Sequence, residues 1–177
     1  MRRVILTAAA LAAVCVLGLH AQQTTDVPSK GPNPHVKTDW TIDGATISIT
    51  YGRPSLKGRA LDGFEWWGQE WRTGADERTR LQTSRALRIG TLDVPAGTYG
   101  LYTRTGAGAW DLIVSKAPDG WGIPYPQGQD LGRTPMRAGT APQAAEQLTF
   151  SIDDTPAGGT LHIDWGTMRQ SVELTVR

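Results

Sequence analysis

From Thr46 onward, apolar and polar residues alternate with a period of two. Glycine and proline break the pattern at short intervals, as expected of short strands that bury one face. Thr46–Tyr51 places Ile47, Ile49 and Tyr51 on one side and Thr46, Ser48 and Thr50 on the other. Further strands are expected at Arg78–Thr83, Ala86–Val94, Thr98–Thr103, Trp110–Ser115, Leu148–Ile152, Thr160–Trp165 and Ser171–Val176. The rows Trp110/Leu112/Val114, Leu161/Ile163/Trp165 and Val172/Leu174/Val176 mark core faces. Turn residues stand at Pro95-Ala96-Gly97, Gly106-Ala107-Gly108, Gly158-Gly159 and Gly166-Thr167, and Gln143–Gln147 reads as a short helical turn behind Pro142. No segment has the length and periodicity of the helical crossovers that parallel strands need. The expected fold is therefore all-β: an antiparallel two-sheet sandwich, jelly-roll-like, with one long irregular loop. A closed β-barrel is the alternative.

The beginning of the chain does not follow this pattern. Arg2 and Arg3 precede an uncharged apolar run from Val4 to Leu19, and Ala21 offers a small residue for cleavage. This is the form of a secretory signal peptide over residues 1–21, and the run is shorter than the roughly 20 residues that span a bilayer. Export to the periplasm or the extracellular space is expected, with no integral membrane span after cleavage. Residues 22–37 are polar, carry Pro28, Pro32 and Pro34, and read as a flexible linker ahead of a single domain at 38–177.

Cleavage would leave 156 of the 177 residues, enough for one domain with a core. It would also remove two arginines and no acid, taking the formal net charge from +1 to −1. A near-neutral domain has no electrostatic basis for binding nucleic acid. Cys15 is the one cysteine of the chain, so the mature domain would have neither disulfides nor thiolate chemistry.

Chemistry concentrates between Tyr51 and Leu81. Arg53, Lys57, Arg59, Arg72, Arg78 and Arg80 stand there among Asp62, Glu65, Glu70, Asp76 and Glu77, with Trp66, Trp67 and Trp71 between them. Pro54 pushes Arg53 toward extended geometry, on the same side as Tyr51. An arginine on a core-facing row must be paired or must line a cavity. Two readings compete. In one, the arginines pair with Asp62, Asp76 and Glu77 and hold a long loop against the sheets. In the other, Arg53, Lys57, Arg59, Trp71, Arg72, Asp76 and Thr79 form a ligand site. Guanidinium forks suit carboxylate or phosphate, Trp71 would serve as a stacking wall, and backbone N–H groups near Gly74 would form an anion nest.

Other chemistry has less support. Trp110 and Trp165 alternate with aliphatic residues and belong to the core. Trp66 and Trp67, as neighbours in an extended segment, would point to opposite sides. Trp121 and Tyr125, in a Gly/Pro-rich loop, would rim a pocket or anchor that loop. The mature chain retains His35, at the linker edge, and His162, on the polar side of its strand with Asp164. No metal spacing, phosphate loop or dinucleotide fingerprint is present, and no serine has a nucleophile elbow around it. No metal site and no cofactor are expected.

Taken in order, YGRPSLKGRAL, WRTGADERTRL, VPAGTYGLYT, WDLIVSK, Asp130-Leu131-Gly132-Arg133 and LHIDWGTMRQSVELTV resemble the successive motifs of DUF2911, a family of secreted bacterial proteins of unknown function. The resemblance spans about residues 38–176. It implies export and a β-domain, and no assigned activity. It also makes the charged block part of the family pattern, with asparagine as well as aspartate at the Asp76 position. Where relatives carry an apolar, proline-containing stretch, this chain has Leu61-Asp62-Gly63-Phe64-Glu65-Trp66-Trp67-Gly68. The function expected is an exported domain that binds a small polar or anionic ligand, a glycan or an envelope partner through its Arg/Trp-rich patch. The alternatives are a hydrolase acting on envelope or polysaccharide material through Asp62, Asp76 or Glu77, and a structural or assembly module.

Overall fold

A computed structural model describes residues 22–177, so the expected signal peptide and Cys15 lie outside the described residues. Twelve strands are found there: β1 (Gln23–Val27), β2 (His35–Ile42), β3 (Ala45–Gly52), β4 (Glu70–Trp71), β5 (Arg80–Thr83), β6 (Leu87–Ile89), β7 (Leu92–Val94), β8 (Gly97–Arg104), β9 (Asp111–Ser115), β10 (Asp130–Pro135), β11 (Arg137–Thr155) and β12 (Gly158–Val176). They form two antiparallel sheets. The first runs β1-β2-β3-β5-β8-β9-β10, with β4 also paired to β8, and the second runs β11-β12-β6-β7. The chain is an all-β sandwich and not a closed barrel. Among the described residues no helix is long and apolar enough to cross a membrane.

The core lies between the sheets. Ile47, Ile49 and Tyr51 from β3 meet Phe150, Leu161, Ile163 and Leu174 from the second sheet, all buried as the alternation requires. The Tyr51 hydroxyl accepts the Phe150 N–H at 3.1 Å, and the two rings stand edge to face at 4.7 Å. A two-residue turn at Asp43-Gly44, both at positive φ, joins β2 to β3. The expected strand at Ala86–Val94 is instead a hairpin, because Gly90, at φ +52°, lets the chain reverse between Ile89 and Leu92.

β12 is 19 residues long and doubles back. A straight strand would separate residues nine apart by roughly 30 Å. Yet His162 Nδ1 lies 2.8 Å from Ser171 Oγ, and Arg169 Nε donates to Asp164 at 2.7 Å. Both pairs are opposite partners across a turn at Gly166-Thr167, where Gly166 has φ +60°. The two expected strands and the break between them are thus present in space. β11 pairs with both arms, and its register slips between Thr140 and Thr149 as it rounds the turn. Residues 143–147, expected as a helical turn, belong to this bulged stretch of strand.

The N-terminal segment differs from the expected linker. β1 pairs with β2 from Gln23↔Asp39 to Val27↔His35, and β2 begins at His35. His35 itself is buried.

Candidate functional site

The first half of the charged block is a clamp on β11. Arg53 Nε donates to the Leu148 carbonyl at 3.1 Å, and Nη2 donates to Thr149 Oγ1 at 2.9 Å. The Pro54 and Glu146 carbonyls accept backbone N–H groups across the same junction, from Leu148 and Leu56. Lys57 and Gly58 both have positive φ and make the tight turn that brings the Arg59 N–H to the Leu56 carbonyl at 3.0 Å. The Lys57 side chain is exposed, and its backbone N–H binds Glu146 Oε1 at 2.8 Å. Arg59 folds back on its own turn, donating to the Leu56 and Ser55 carbonyls, and lies 4.3 Å from the centre of the Phe64 ring.

The second half, Trp71 to Thr79, holds two other parts of the chain by opposite means. Its acids face the N-terminal segment. Asp76 Oδ2 accepts the Asn33 backbone N–H at 2.9 Å and the Asn33 amide at 3.0 Å. Glu77 accepts the Lys30 N–H at 2.7 Å and lies 3.0 Å from His35 Nε2. Its arginines face the loop between β9 and β10. Arg72 Nη1 donates to the Trp121 carbonyl at 2.9 Å, Arg78 Nη1 donates to the Ala117 carbonyl, and the Arg78 N–H donates to Gly120 O at 3.0 Å. Thr79 is buried and donates to Thr73 O at 2.9 Å, which fixes the turn that Thr73 and Asp76 enter at positive φ.

Of the residues expected to converge on a ligand, only Trp71 and Arg72 reach a common cavity. It measures ≈ 570 Å³ and lies between the 64–75 segment and the 122–127 loop. Its floor is aromatic. Trp66 stacks on Trp71 with centroids 4.1 Å apart and planes 11° apart, and Trp165 lies 5.6 Å from Trp71 in near-parallel orientation. Trp71 is 4 % exposed and its face is covered by Trp66, so it supports the floor and is no stacking wall for a ligand. Trp66 and Trp67 both turn inward and meet Trp110 edge-on, because the segment is a turn rather than an extended strand.

Arg72 is the one cationic side chain on the cavity's lining, which also carries the carboxylates of Glu65 and of Glu70, the latter paired with Arg104 and Arg133. The Arg72 Nε is buried without a hydrogen-bond partner, and no carboxylate lies within ion-pair distance of it among the described residues. Burial lowers its pKa from the ordinary value, and the charges of Asp76, Tyr102 and Glu77 offset this only in part. The opposite rim is a closed network. Arg133 donates to Asp130 at 2.8 Å and to Glu70 at 3.1 Å, Arg104 donates to the other Glu70 oxygen at 3.2 Å, and Tyr125 donates to Asp130. Burial and the adjacent Asp130 raise the Tyr125 pKa and keep the phenol protonated.

A family model described as a protein of unknown function (DUF2911) matches residues 33–174. The chain belongs to the DUF2911 family. No curated protein and no solved structure matches it. Both halves of the charged block, the Asp130–Arg133 stretch and all but the last two residues of β12 fall inside the matched span, whereas β1 precedes it.

Within this DUF2911 domain the acids of the hydrolase alternative, Asp62, Asp76 and Glu77, do not line the cavity beside Arg72. Asp76 and Glu77 are engaged by residues 30–35, and Asp62 sits in a 3-10 turn at Leu61–Gly63. Among the described residues no group of three His, Cys, Asp or Glu side chains is placed to hold a metal ion. His162 and Asp164, expected on an exposed face, are buried: His162 bonds Ser171 and Asp153, and Asp164 takes a bidentate fork from Arg169. Glu70, Gln127 and Arg133 were not expected at the site. The Asp130-Leu131-Gly132-Arg133 motif signalled part of this network, but nothing local to Glu70 did.

Proposed function

We propose that this DUF2911 protein is exported through its N-terminal leader and binds a small polar ligand bearing a carboxylate, of the sugar-acid class, in the cavity beside Arg72. The Arg72 guanidinium carries this reading. It is half-buried, it gives one hydrogen bond to the Trp121 carbonyl, and no acid neutralises it within ion-pair distance among the described residues. A desolvated cation at a cavity wall attracts an anion that can replace its lost water. Exposed Glu65, Gln69 and Gln127 on the rim offer further polar contacts for hydroxyl groups.

Thermal-shift and calorimetric titration with sugar acids and their neutral counterparts test the reading. The acids are expected to bind and raise the melting temperature. Arg72→Ala is expected to abolish binding while leaving the protein folded, since one exposed carbonyl contact is lost. Equal binding of acids by the wild type and Arg72→Ala would refute the assignment. Fractionation with mass analysis of the mature chain tests export, with Gln22 expected as the first residue.

A further inference from the structure

A second cavity, of ≈ 480 Å³, lies on the other side of the β9–β10 loop and is lined by Lys30, His35, Arg78, Arg80, Asp119 and Trp121 among others. It shares one feature with the first, an arginine whose Nε is buried and unpartnered. Arg78 Nε is buried without a hydrogen-bond partner, and its charge has no carboxylate at ion-pair distance among the described residues. Lys30 is exposed, and only its backbone N–H is used by Glu77. Of the two acids on this cavity, Asp119 is taken by Arg80 at 3.3 Å and Glu77 by Lys30 N–H and His35. A net positive wall remains.

The two cavities are adjacent through Gly122. A Cβ placed there would meet Arg72 Cβ at 3.2 Å and Arg78 Cβ at 3.3 Å, so both arginines pass close to this one residue, Arg72 lining the first cavity and Arg78 the second. The preceding residue, Trp121, is 45 % exposed and stands on the ridge. Its indole is backed by the Arg72 guanidinium at 5.4 Å, and its carbonyl is held by the same group. A large aromatic residue held in place from behind and open in front offers a flat surface to a ring.

Resting on the sugar-acid reading above, we propose that the two cavities are subsites of one extended site for a linear acidic oligosaccharide. Trp121 carries a sugar ring on the ridge, and Arg72 and Arg78 each take a carboxylate on their own side. A pyranose presents a C–H face that packs on an indole, and successive uronic acid units place carboxylates along the chain. A single sugar acid fills only one cavity. An oligomer engages both, and the second contact forms at high effective concentration.

Calorimetric titration of the purified protein with galacturonic acid, its dimer and its tetramer tests this, with neutral galactose oligomers as the control. The tetramer is expected to bind about tenfold or more tighter than the monomer. Arg78→Ala is expected to remove that gain and leave monomer affinity within about twofold of wild type, and Trp121→Ala, which takes away the ring packed on Arg72, is expected to remove the gain. If Arg78→Ala does not fold, Lys30→Ala/Arg80→Ala carries the same expectation, since both side chains are exposed. A tetramer no tighter than the monomer, a gain that survives these substitutions, or equal binding of the neutral oligomer would overturn the proposal. These results are distinct from failure of the first cavity, which shows as monomer binding indifferent to Arg72→Ala or absent.

Discussion

At the scale of single residues, the charged block is notable for the kind of partner each charge takes. Its sequence places acids and bases side by side, which suggests ion pairs. Asp76 and Glu77 instead accept N–H groups from residues 30–33, Arg53, Arg59, Arg72 and Arg78 donate to carbonyls at 55, 56, 117, 121 and 148, and the ion pairs of Glu70 and Arg80 are with Arg104, Arg133 and Asp119 outside the block. Every residue has a carbonyl and nearly every one an N–H, so composition cannot reveal such partners. Asp76→Ala would strip the acceptor from both Asn33 donors and is expected to cost about 2 kcal/mol. Asp76→Asn keeps one acceptor oxygen and is expected to cost under about 1 kcal/mol. Urea denaturation of the two variants separates a role in hydrogen bonding from a role in charge. Equal losses would mean that the carboxylate charge itself matters. Gly52 is a second such position. A Cβ there would sit 2.2 Å from the Ala75 carbonyl oxygen, a backbone atom that cannot swing away. Gly52→Ala is expected to destabilise the domain by about 3 kcal/mol, read as a lower denaturation midpoint at unchanged slope.

At the scale of elements, local patterning was a sound guide wherever a strand buries one face. The alternation at 46–51, 160–165 and 171–176, with the Gly166-Thr167 break, describes β3 and the two arms of β12. It failed where pairing is with distant chain. β1 has no apolar row to announce it and exists because β2 offers an edge. The wrapped middle of β11 follows the hairpin tip rather than its own periodicity. The connection at 61–68 is the other non-local element. Its Phe64 and Trp66 reach Trp71 and Trp165, so it packs on the sandwich through aromatic faces. Trp66→Ala is expected to cost about 3 kcal/mol and to open the first cavity's floor. Arg53→Ala, which releases the Leu148 carbonyl and the Thr149 hydroxyl, is expected to cost about 2 kcal/mol and to speed amide exchange in residues 146–149. Unchanged exchange there would show that the clamp is held by the backbone contacts alone.

At the scale of the whole molecule, stability rests on ionised or neutral states that acid removes in sequence. His162 is 6 % exposed, and burial opposes its charged form. The nearby Arg169 charge adds to this, Asp153 and Asp164 work against it, and the net effect is a pKa below the ordinary 6.5. The folded protein therefore holds this proton less tightly than the unfolded chain does. The contribution is complete above 6.5 and is lost as the pH falls through the folded-state value. Glu70 acts lower on the scale. Burial raises its pKa, but the Arg133 hydrogen bond and the charges of Arg104 and Arg133 outweigh burial and hold the carboxyl below 4.5. Its contribution is present above 4.5 and disappears as the pH falls further. Two steps of destabilisation are thus expected in denaturant titrations between pH 7 and 3, the first from His162 and the second with Glu70 among the carboxyls. His162→Asn should flatten the upper step while leaving the lower one, and Glu70→Gln should reduce the lower step alone. A wild-type stability constant from pH 7 through 5 would mean that His162 is not held neutral by the fold. Its hydrogen bonds across the β11–β12 face, to Asp153 and Ser171, would then be made as readily by the charged ring.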